Sequence, residues 1–184
     1  PVRGLTAAIL GFGPIGASVF HPLLAGGAKK IYVTDKLDYR LRMAKAHGAA
    51  WVGNPDRADV VKQILAREPH ELDIVFECCG KPEAIEQGLR LLKPGGTLLI
   101  IGIPEEKKIA FVMEVMRRRE LRVQNVRRQN ACEEKTIRFM TGGAGSVGYM
   151  VTHRFPLDRT QEAFELVAGY RDGVMKAMIG IGGR

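Results

Sequence analysis

Short apolar runs alternate with amphipathic helical patterns along most of the chain. The apolar runs predict five strands, at 5–10, 30–34, 50–52, 72–78 and 97–101. Between them, apolar positions at helical spacing predict helices at 14–24, 37–47 and 54–69, and a fourth that runs from 82 to the Pro-Gly-Gly at 94–96. Because a run such as 97–101 has almost no polar position, it is typical of a strand covered on both faces by helices. The alternation therefore predicts a doubly wound, open parallel sheet of α/β class.

The pattern loosens after residue 104. It predicts a short helix at 111–118, a sixth strand at 121–126, a helix near 132–140, a strand at 149–153, a helix at 157–167 and a last strand at 174–179. The last four elements form an αβαβ segment. We therefore predict a main domain of residues 1–128, with a sheet of about six strands, and a C-terminal segment of residues 129–184.

The first strand leads into the glycine motif GFGPIG at 11–16, and Asp35 ends the second strand. Gly11 allows a tight turn out of the strand, Gly13 leaves room for a pyrophosphate, and Gly16 lets the helix pack closely on the sheet. Pro14 suits the first position of a helix whose N-terminal N–H groups favour anions. Asp35 would accept hydrogen bonds from ribose hydroxyls and repel the extra phosphate of NADP. The motif therefore predicts a Rossmann-type dinucleotide site in residues 1–128 that prefers NAD, with NADP as the less favoured cofactor.

The glycine spacing alone is a weak signal, because it recurs as GAGSVG at 143–148. The second copy follows a predicted helix and runs into a strand, whereas the first follows a strand and opens a helix. We therefore interpret the second copy as a flexible loop.

The balance of charges is basic, with 28 Lys and Arg against 20 Asp and Glu and a formal net charge of +8. Basic residues concentrate at 117–128, a pattern that raises nucleic-acid binding as an alternative. No zinc finger, RNP-like strand or aromatic platform accompanies them, so a solvated helix face is favoured and no nucleic-acid partner is expected. No apolar run has the length that a membrane span needs, which predicts no membrane partner.

Cysteine and histidine positions do not predict a metal site. Two of the three cysteines, Cys78 and Cys79, are adjacent, a spacing that suits neither a disulfide framework nor tetrahedral zinc. The four histidines are scattered, with no pair at ligand spacing. Free cysteines favour a reducing, cytoplasmic setting.

Several segments carry a family resemblance. They are the glycine motif, Asp35 with Arg40 five residues on, AKAHGA at 44–49, ECCG at 77–80, LKPGGT at 92–97, Gly102-Ile103, and VTHRFPL at 151–157 leading into EAFE at 162–165. Together they cover nearly all of the chain. In these segments the chain resembles the cofactor-binding half of the zinc-containing, medium-chain alcohol and polyol dehydrogenases, near the sorbitol and threonine dehydrogenase branch.

The resemblance implies further cofactor contacts beyond the motif. Ile15 would pack near the cofactor and Arg40 against the adenosine, while the segments after the fourth and fifth strands would pass the nicotinamide. A further segment at 126–128 matches imperfectly, because Asn125 stands where the family usually has glycine and Arg127 replaces an aromatic residue. The cofactor-binding residues predicted from the motif and the resemblance are Gly11, Gly13, Pro14, Ile15, Gly16, Asp35, Arg40, Cys78, Cys79, Ile101, Gly102, Ile103, Val126 and Arg128.

The resemblance also implies a catalytic domain that this sequence does not contain. Family members begin with a catalytic domain that carries the Cys, His and Glu ligands of the catalytic zinc, and residues 129–184 resemble the segment that returns to complete that domain. We expect an NAD-dependent alcohol or polyol dehydrogenase whose zinc lies in the absent domain. We expect this chain to bind cofactor but to be inactive alone.

Two other functions remain open from the residues. A non-catalytic module could sense NAD or NADH, and a methyltransferase also combines a glycine loop with an acid after its second strand. Pro14 in the motif speaks against the methyltransferase. The C-terminal segment speaks against the sensor and predicts exposed apolar area around it. An exposed edge at the sixth strand favours a homo-oligomer, a dimer or tetramer.

Overall fold

The computed structural model describes residues 1–143 and 147–182, and its centre is a six-stranded parallel sheet. The strands are β1 (Thr6–Leu10), β2 (Lys30–Thr34), β3 (Trp51–Gly53), β4 (Leu72–Glu77), β5 (Leu92–Ile100) and β6 (Arg122–Asn125). Their order across the sheet is β3-β2-β1-β4-β5-β6, and every pairing is parallel. The chain first moves outward from β1 to β3 and then restarts on the other side of β1. The crevice at such a reversal is where open α/β sheets bind their ligands.

Helices cover both faces of the sheet. They are α1 (Pro14–Ala25), α2 (Asp38–Ala46), α3 (Val60–Arg67), α4 (Pro82–Leu91) and α5 (Met113–Arg118). Every residue of β1 is buried, and its side chains alternate between two cores: Ala7 and Ile9 join Phe20 of α1, whereas Ala8 and Leu10 join the cluster that contains α3 and α4 residues. The predicted doubly wound α/β fold is confirmed.

The C-terminal residues form a smaller unit, which we call the return segment (129–182). It contains α6 (Glu133–Thr141), β7 (Val151–Pro156), α7 (Thr160–Ala168) and β8 (Lys176–Gly180). Strands β7 and β8 pair in parallel as a two-stranded sheet. Met150 and Met175 are buried in the cluster beneath α1 and α2, which attaches the segment to that face. The predicted αβαβ order is therefore present. The glycine copy at 143–148 includes residues 144–146, which lie outside the described residues.

The predicted start of the third helix was wrong. The Asn54-Pro55 pair was predicted to begin the third helix, but α3 begins at Val60. Asn54 instead forms a turn, in which its side-chain oxygen accepts from the backbone N–H of Asp56 at 3.0 Å. The cap is Asp59, whose carboxylate accepts from the N–H of Lys62 at 2.9 Å. Asparagine closes turns and caps helices by the same short-range bond, so the motif did not separate the two.

The fourth predicted helix also ended too late. Helix α4 ends at Leu91, and Leu92 already pairs with Leu72 of β4. No helix in the described part of the chain is long and apolar enough to cross a membrane.

Candidate functional site

A crevice of about 340 Å³ opens at the carboxyl ends of the central strands. It lies where the strand order reverses, between the ends of β1, β2 and β4. Its walls come from both parts of the chain: Gly11, Gly13, Pro14, Asp35, Arg40, Cys78 and Cys79 from the sheet half, and Val167, Tyr170, Val174 and Met175 from the return segment.

The floor of the crevice is the turn between β1 and α1. Gly11 has φ +95°, a left-handed conformation that glycine adopts without a steric penalty, and its N–H donates to the carbonyl of Thr34 at 2.8 Å. A Cβ on Gly16 would lie 2.0 Å from the carbonyl oxygen of Gly11. The two glycines therefore bring the first turn of α1 against the end of β1, which is the close approach that the motif predicts.

The N-terminus of α1 points its backbone donors at the crevice. Gly13 precedes the helix, no side chain of the described residues caps it, and Pro14 stands in the first turn without an N–H. The N–H groups of Ile15 and Gly16 belong to the first turn of a helix, where no intrahelical partner exists. Uncapped donors and the positive end of the helix dipole favour an anion such as a phosphate.

Asp35 lies at the end of β2 and is 8% exposed. One carboxylate oxygen accepts from the N–H of Phe12 at 2.7 Å, and the other accepts from the N–H of Leu37 at 2.8 Å. These two bonds fix the carboxylate beside the glycine turn. A carboxylate has about four lone-pair positions, so Asp35 keeps acceptor capacity for two neighbouring hydroxyls.

Arg40 of α2 lies between Asp35 and the glycine turn. Its Nη1 is 3.7 Å from the Oδ2 of Asp35, and a Cβ on Gly13 would lie 3.4 Å from the same nitrogen. The side chain is 13% exposed, and its buried Nε has no hydrogen-bond partner among the described residues. Among the described residues, Arg40 therefore keeps an unpartnered donor close to the Asp35 carboxylate.

This geometry fits a dinucleotide, and comparisons with known proteins agree. The family model described as zinc-binding dehydrogenase matches residues 14–142. The chain belongs to the zinc-binding dehydrogenase family. Within that family it is a dinucleotide-binding domain of the NAD(P) type.

The chain is similar to dehydrogenases with different substrates. It is 29% identical over 96% of its length to sorbitol dehydrogenase from Bacillus subtilis (strain 168), and 30% identical over 89% to L-threonine 3-dehydrogenase from the same organism. These matches cover 50% and 48% of those proteins, so the chain spans about half the length of the curated relatives it matches. A zinc-binding dehydrogenase structure from Sinorhizobium meliloti 1021, solved with bound NADP, superposes with a TM-score of 0.88 at 29% identity, over 97% of this chain and 53% of that one.

In this dehydrogenase domain, Glu77 organises the loop after β4. It is fully buried, and its Oε1 accepts from the N–H groups of Cys79 at 2.7 Å and Gly80 at 2.6 Å. Its backbone carbonyl accepts from Ile101 at 2.9 Å and Gly102 at 3.1 Å. Glu77 therefore ties the two loops that follow β4 and β5 to each other, a positioning role that leaves it without access to a substrate.

The thiols of the two adjacent cysteines on that loop have raised pKa values. Partial desolvation at the crevice, with smaller contributions from Glu77, raises the pKa of the Cys79 thiol, although the residue keeps exposed surface. Burial, with the Glu77 and Cys79 charges, also raises the pKa of Cys78. Because the thiolate is the reactive form, both remain protonated at neutral pH. Their place in the crevice supports a role in shaping it.

The remaining predicted cofactor residues do not line the crevice. Ile15 and Gly16 belong to the first turn of α1, beside the floor. Ile101, Gly102 and Ile103 follow β5 along the same sheet edge, where Ile103 is 87% exposed. Val126 and Arg128 follow β6 farther along that edge, with the N–H of Val126 bonded to the carbonyl of Ile100 at 2.9 Å. Their contact with cofactor stays a prediction.

Sequence reasoning missed the contribution of the return segment to the crevice. Val167, Tyr170, Val174 and Met175 line it, although the motif and the resemblance directed attention to the sheet half. One signal was available in the sequence, because Val174 and Met175 are consecutive apolar residues after a glycine. In the structure these two residues are 2% and 3% exposed.

No metal site is visible in the described part of this dehydrogenase domain. Within residues 1–143 and 147–182, no three His, Cys, Asp or Glu side chains are placed to hold one ion. His21, His47 and Tyr149 do come together, but as an aromatic cluster between α1, α2 and the return segment.

Proposed function

We propose that this chain binds NAD and positions its nicotinamide for hydride transfer from a primary or secondary alcohol or polyol in the full-length dehydrogenase. The observation that carries the proposal is the buried Asp35 carboxylate beside an uncapped helix N-terminus. Asp35 would hold the ribose hydroxyls, and the first turn of α1 would hold the pyrophosphate. When bound, NAD supplies the hydride acceptor. The residues of this chain bind and orient it.

The charges around Asp35 support NAD over NADP. Lys36, which could neutralise a 2′-phosphate, is already paired with Asp56 at 2.8 Å. Arg40 lies beside Asp35 itself, so its charge is partly balanced. A 2′-phosphate would therefore meet the Asp35 carboxylate, while Lys36 and Arg40 already have carboxylate neighbours. The relative from S. meliloti holds NADP, which makes NADP the competing outcome of the test.

The return segment supports a dehydrogenase over a free-standing nucleotide sensor. Several of its large apolar residues are strongly exposed, among them Leu157 at 59%, Phe164 at 69% and Ile181 at 84%. Exposed apolar area of this kind is typical of a surface that contacts another protein part. In the resemblance this segment completes the catalytic domain, which would carry the zinc that lowers the pKa of the substrate hydroxyl.

We further propose a homo-oligomer in a reducing, cytoplasmic setting. β6 stands at one edge of the sheet, and its residues are mostly exposed. An unpaired edge is a template for pairing with a second copy. The three cysteines are free, which suits a reducing compartment.

The test is calorimetric titration of the chain with NAD and with NADP, before and after Asp35→Ala. We expect the wild type to prefer NAD. Because hydrogen bonds to a charged group contribute about 1.5–3 kcal/mol, the variant should lose about tenfold or more in NAD affinity while its preference relaxes toward NADP. Asp158→Ala, which removes an exposed carboxylate of the return segment, is the matched control and should change neither titration.

Two outcomes would contradict the proposal. A folded wild-type chain that binds neither nucleotide would remove its basis. Equal loss of affinity in Asp35→Ala and Asp158→Ala would show that net charge, and not the ribose contact, governs binding. A thermal melt of each variant separates either outcome from unfolding.

A further inference from the structure

Tyr170 occupies an unusual position at the end of α7. The helix closes with paired bonds from the N–H of Tyr170 to the carbonyl of Val167 at 3.2 Å, and from the N–H of Arg171 to the carbonyl of Leu166 at 3.2 Å. In this helix ending the residue at the Tyr170 position takes a left-handed conformation and is usually glycine. Tyr170 has φ +48°. Other non-glycine residues share a positive φ, and Glu120 takes it at the same kind of helix ending, so this conformation becomes informative only together with the surroundings of the Tyr170 ring.

The ring of Tyr170 lines the crevice that Gly13 and Asp35 also line. Its centroid is 5.3 Å from the guanidinium carbon of Arg40. Tyr170 is 59% exposed, so its ring is not packed inside the hydrophobic core. A large aromatic surface therefore stands free beside the cation that neighbours the ribose-binding acid.

The loop that carries Tyr170 is anchored on the sheet half. The hydroxyl of Tyr39 donates to the carbonyl of Val174 at 2.8 Å. Val174 and Met175 are buried, and Met175 belongs to the core cluster beneath α1 and α2. Because the helix ending fixes one side of the loop and this anchor fixes the other, the position of the ring is set before any ligand arrives.

We propose that Tyr170 contacts the adenosine half of the dinucleotide and forms the wall of the adenosine pocket that the return segment contributes. The inference deepens the proposed function and rests on it. Asp35 marks the ribose end of the site, and Tyr170 reaches that end through Arg40. Aromatic rings and guanidinium groups both present flat faces on which a purine can stack. Glycine would adopt this conformation with less strain, but it has no ring to place against the adenosine.

The decisive variant is Tyr170→Gly. Glycine suits the left-handed conformation, so the variant should melt at the wild-type temperature or above it. It should bind NAD and AMP about three- to tenfold more weakly, as expected for the loss of one aromatic contact. Binding of nicotinamide mononucleotide, which lacks adenosine, should not change. Tyr170→Phe keeps the ring and should bind all three probes like the wild type.

Phe164→Ala is the matched control, because Phe164 is another exposed aromatic of the return segment and does not line the crevice. It should leave every affinity unchanged. If the wild type binds NAD and Tyr170→Gly binds it equally well, the inference fails and the proposed function stands. If the folded wild type binds no nucleotide, both fail. Should Tyr170→Gly not fold, Tyr170→Asn replaces it, since asparagine also tolerates this conformation.

Discussion

The sheet half and the return segment bury their apolar residues differently. In the sheet half, every residue of β1 is buried, and β2 is buried after its first residue. In the return segment, α6 contributes no buried residue and α7 contributes only Ala163. The buried apolar residues of the described return segment are Met150, Ala163, Val174 and Met175. Folding free energy from apolar burial is therefore concentrated in the sheet half.

Both regions contribute to the crevice, although they bury apolar residues so unequally. The sheet half supplies the glycine turn and Asp35, which are features of the dinucleotide motif. The return segment supplies Tyr170 and the buried pair Val174 and Met175, which match no motif. A region that adds little core can thus complete the shape of a binding site, provided that a few buried residues fix its position.

The largest expected contrast compares one leucine from each region. Leu98 is fully buried in β5, whereas Leu157 is 59% exposed. Leu98→Ala should lower the free energy of unfolding by about 2–5 kcal/mol, because it removes buried methyl groups and leaves a cavity. Leu157→Ala should change it by about 0.5 kcal/mol or less. Urea denaturation measures both. Equal losses would mean that the return segment carries as much of the stability as the sheet half.

A smaller contrast compares two glycines. Gly16→Ala places a Cβ against the Gly11 carbonyl, so the first turn of α1 must shift. We expect a loss of about 1–3 kcal/mol in unfolding free energy, as for overpacking, together with weaker NAD binding. Gly148→Ala is the control in the return segment, because its Cβ would meet no atom of the described residues within 4 Å. Calorimetric melts and NAD titrations of both variants make the comparison. A neutral Gly16→Ala would show that α1 does not need this close approach.

The sheet could be predicted from the sequence because burial on both faces leaves strong patterns. The run at 97–101 has almost no polar position, and the strand it indicated lies inside the sheet between β4 and β6. The glycine motif and Asp35 were likewise readable, because each is dictated by a local turn or by the position of a strand end. Asn54 misled because its short-range bond serves turns and helix caps alike.

The return-segment wall of the crevice could not be predicted in the same way. Tyr170 meets Arg40 across 130 positions of sequence because Val174 and Met175, just before β8, are held against the sheet half. The sequence around neither residue contains a pattern that predicts the contact between Tyr170 and Arg40. The left-handed backbone at Tyr170 is also invisible from residue type, since tyrosine is seldom found there.

The smallest of the three contrasts concerns the contact between α1 and the return segment. His21 is 7% exposed, and its Nε2 lies 3.1 Å from the hydroxyl of Tyr149. The ring of His47 stacks on Tyr149 with centroids 3.8 Å apart. Burial, with a smaller contribution from the charge of His47, lowers the pKa of His21 below its usual value. The neutral imidazole is therefore the form that suits the folded chain.

The sign of the pH effect follows from that lowered pKa. Above pH 6.5, the ordinary pKa of histidine, His21 is neutral in both the folded and the unfolded chain. As the pH falls below this value, the unfolded chain binds the proton first, so stability is lost on acidification. We expect His21→Gln to show a shallower fall in melting temperature between pH 8 and pH 5.5 than the wild type. Thermal melts across that range measure the slope.

His70→Gln is the matched control, because His70 is exposed on the loop before β4 and lies outside the His21 cluster. It should keep the wild-type slope. If His21→Gln also keeps it, protonation of His21 does not govern the loss of stability on acidification. If the slope flattens in His21→Gln alone, one buried imidazole at the contact between α1 and the return segment couples pH to the stability of the folded chain.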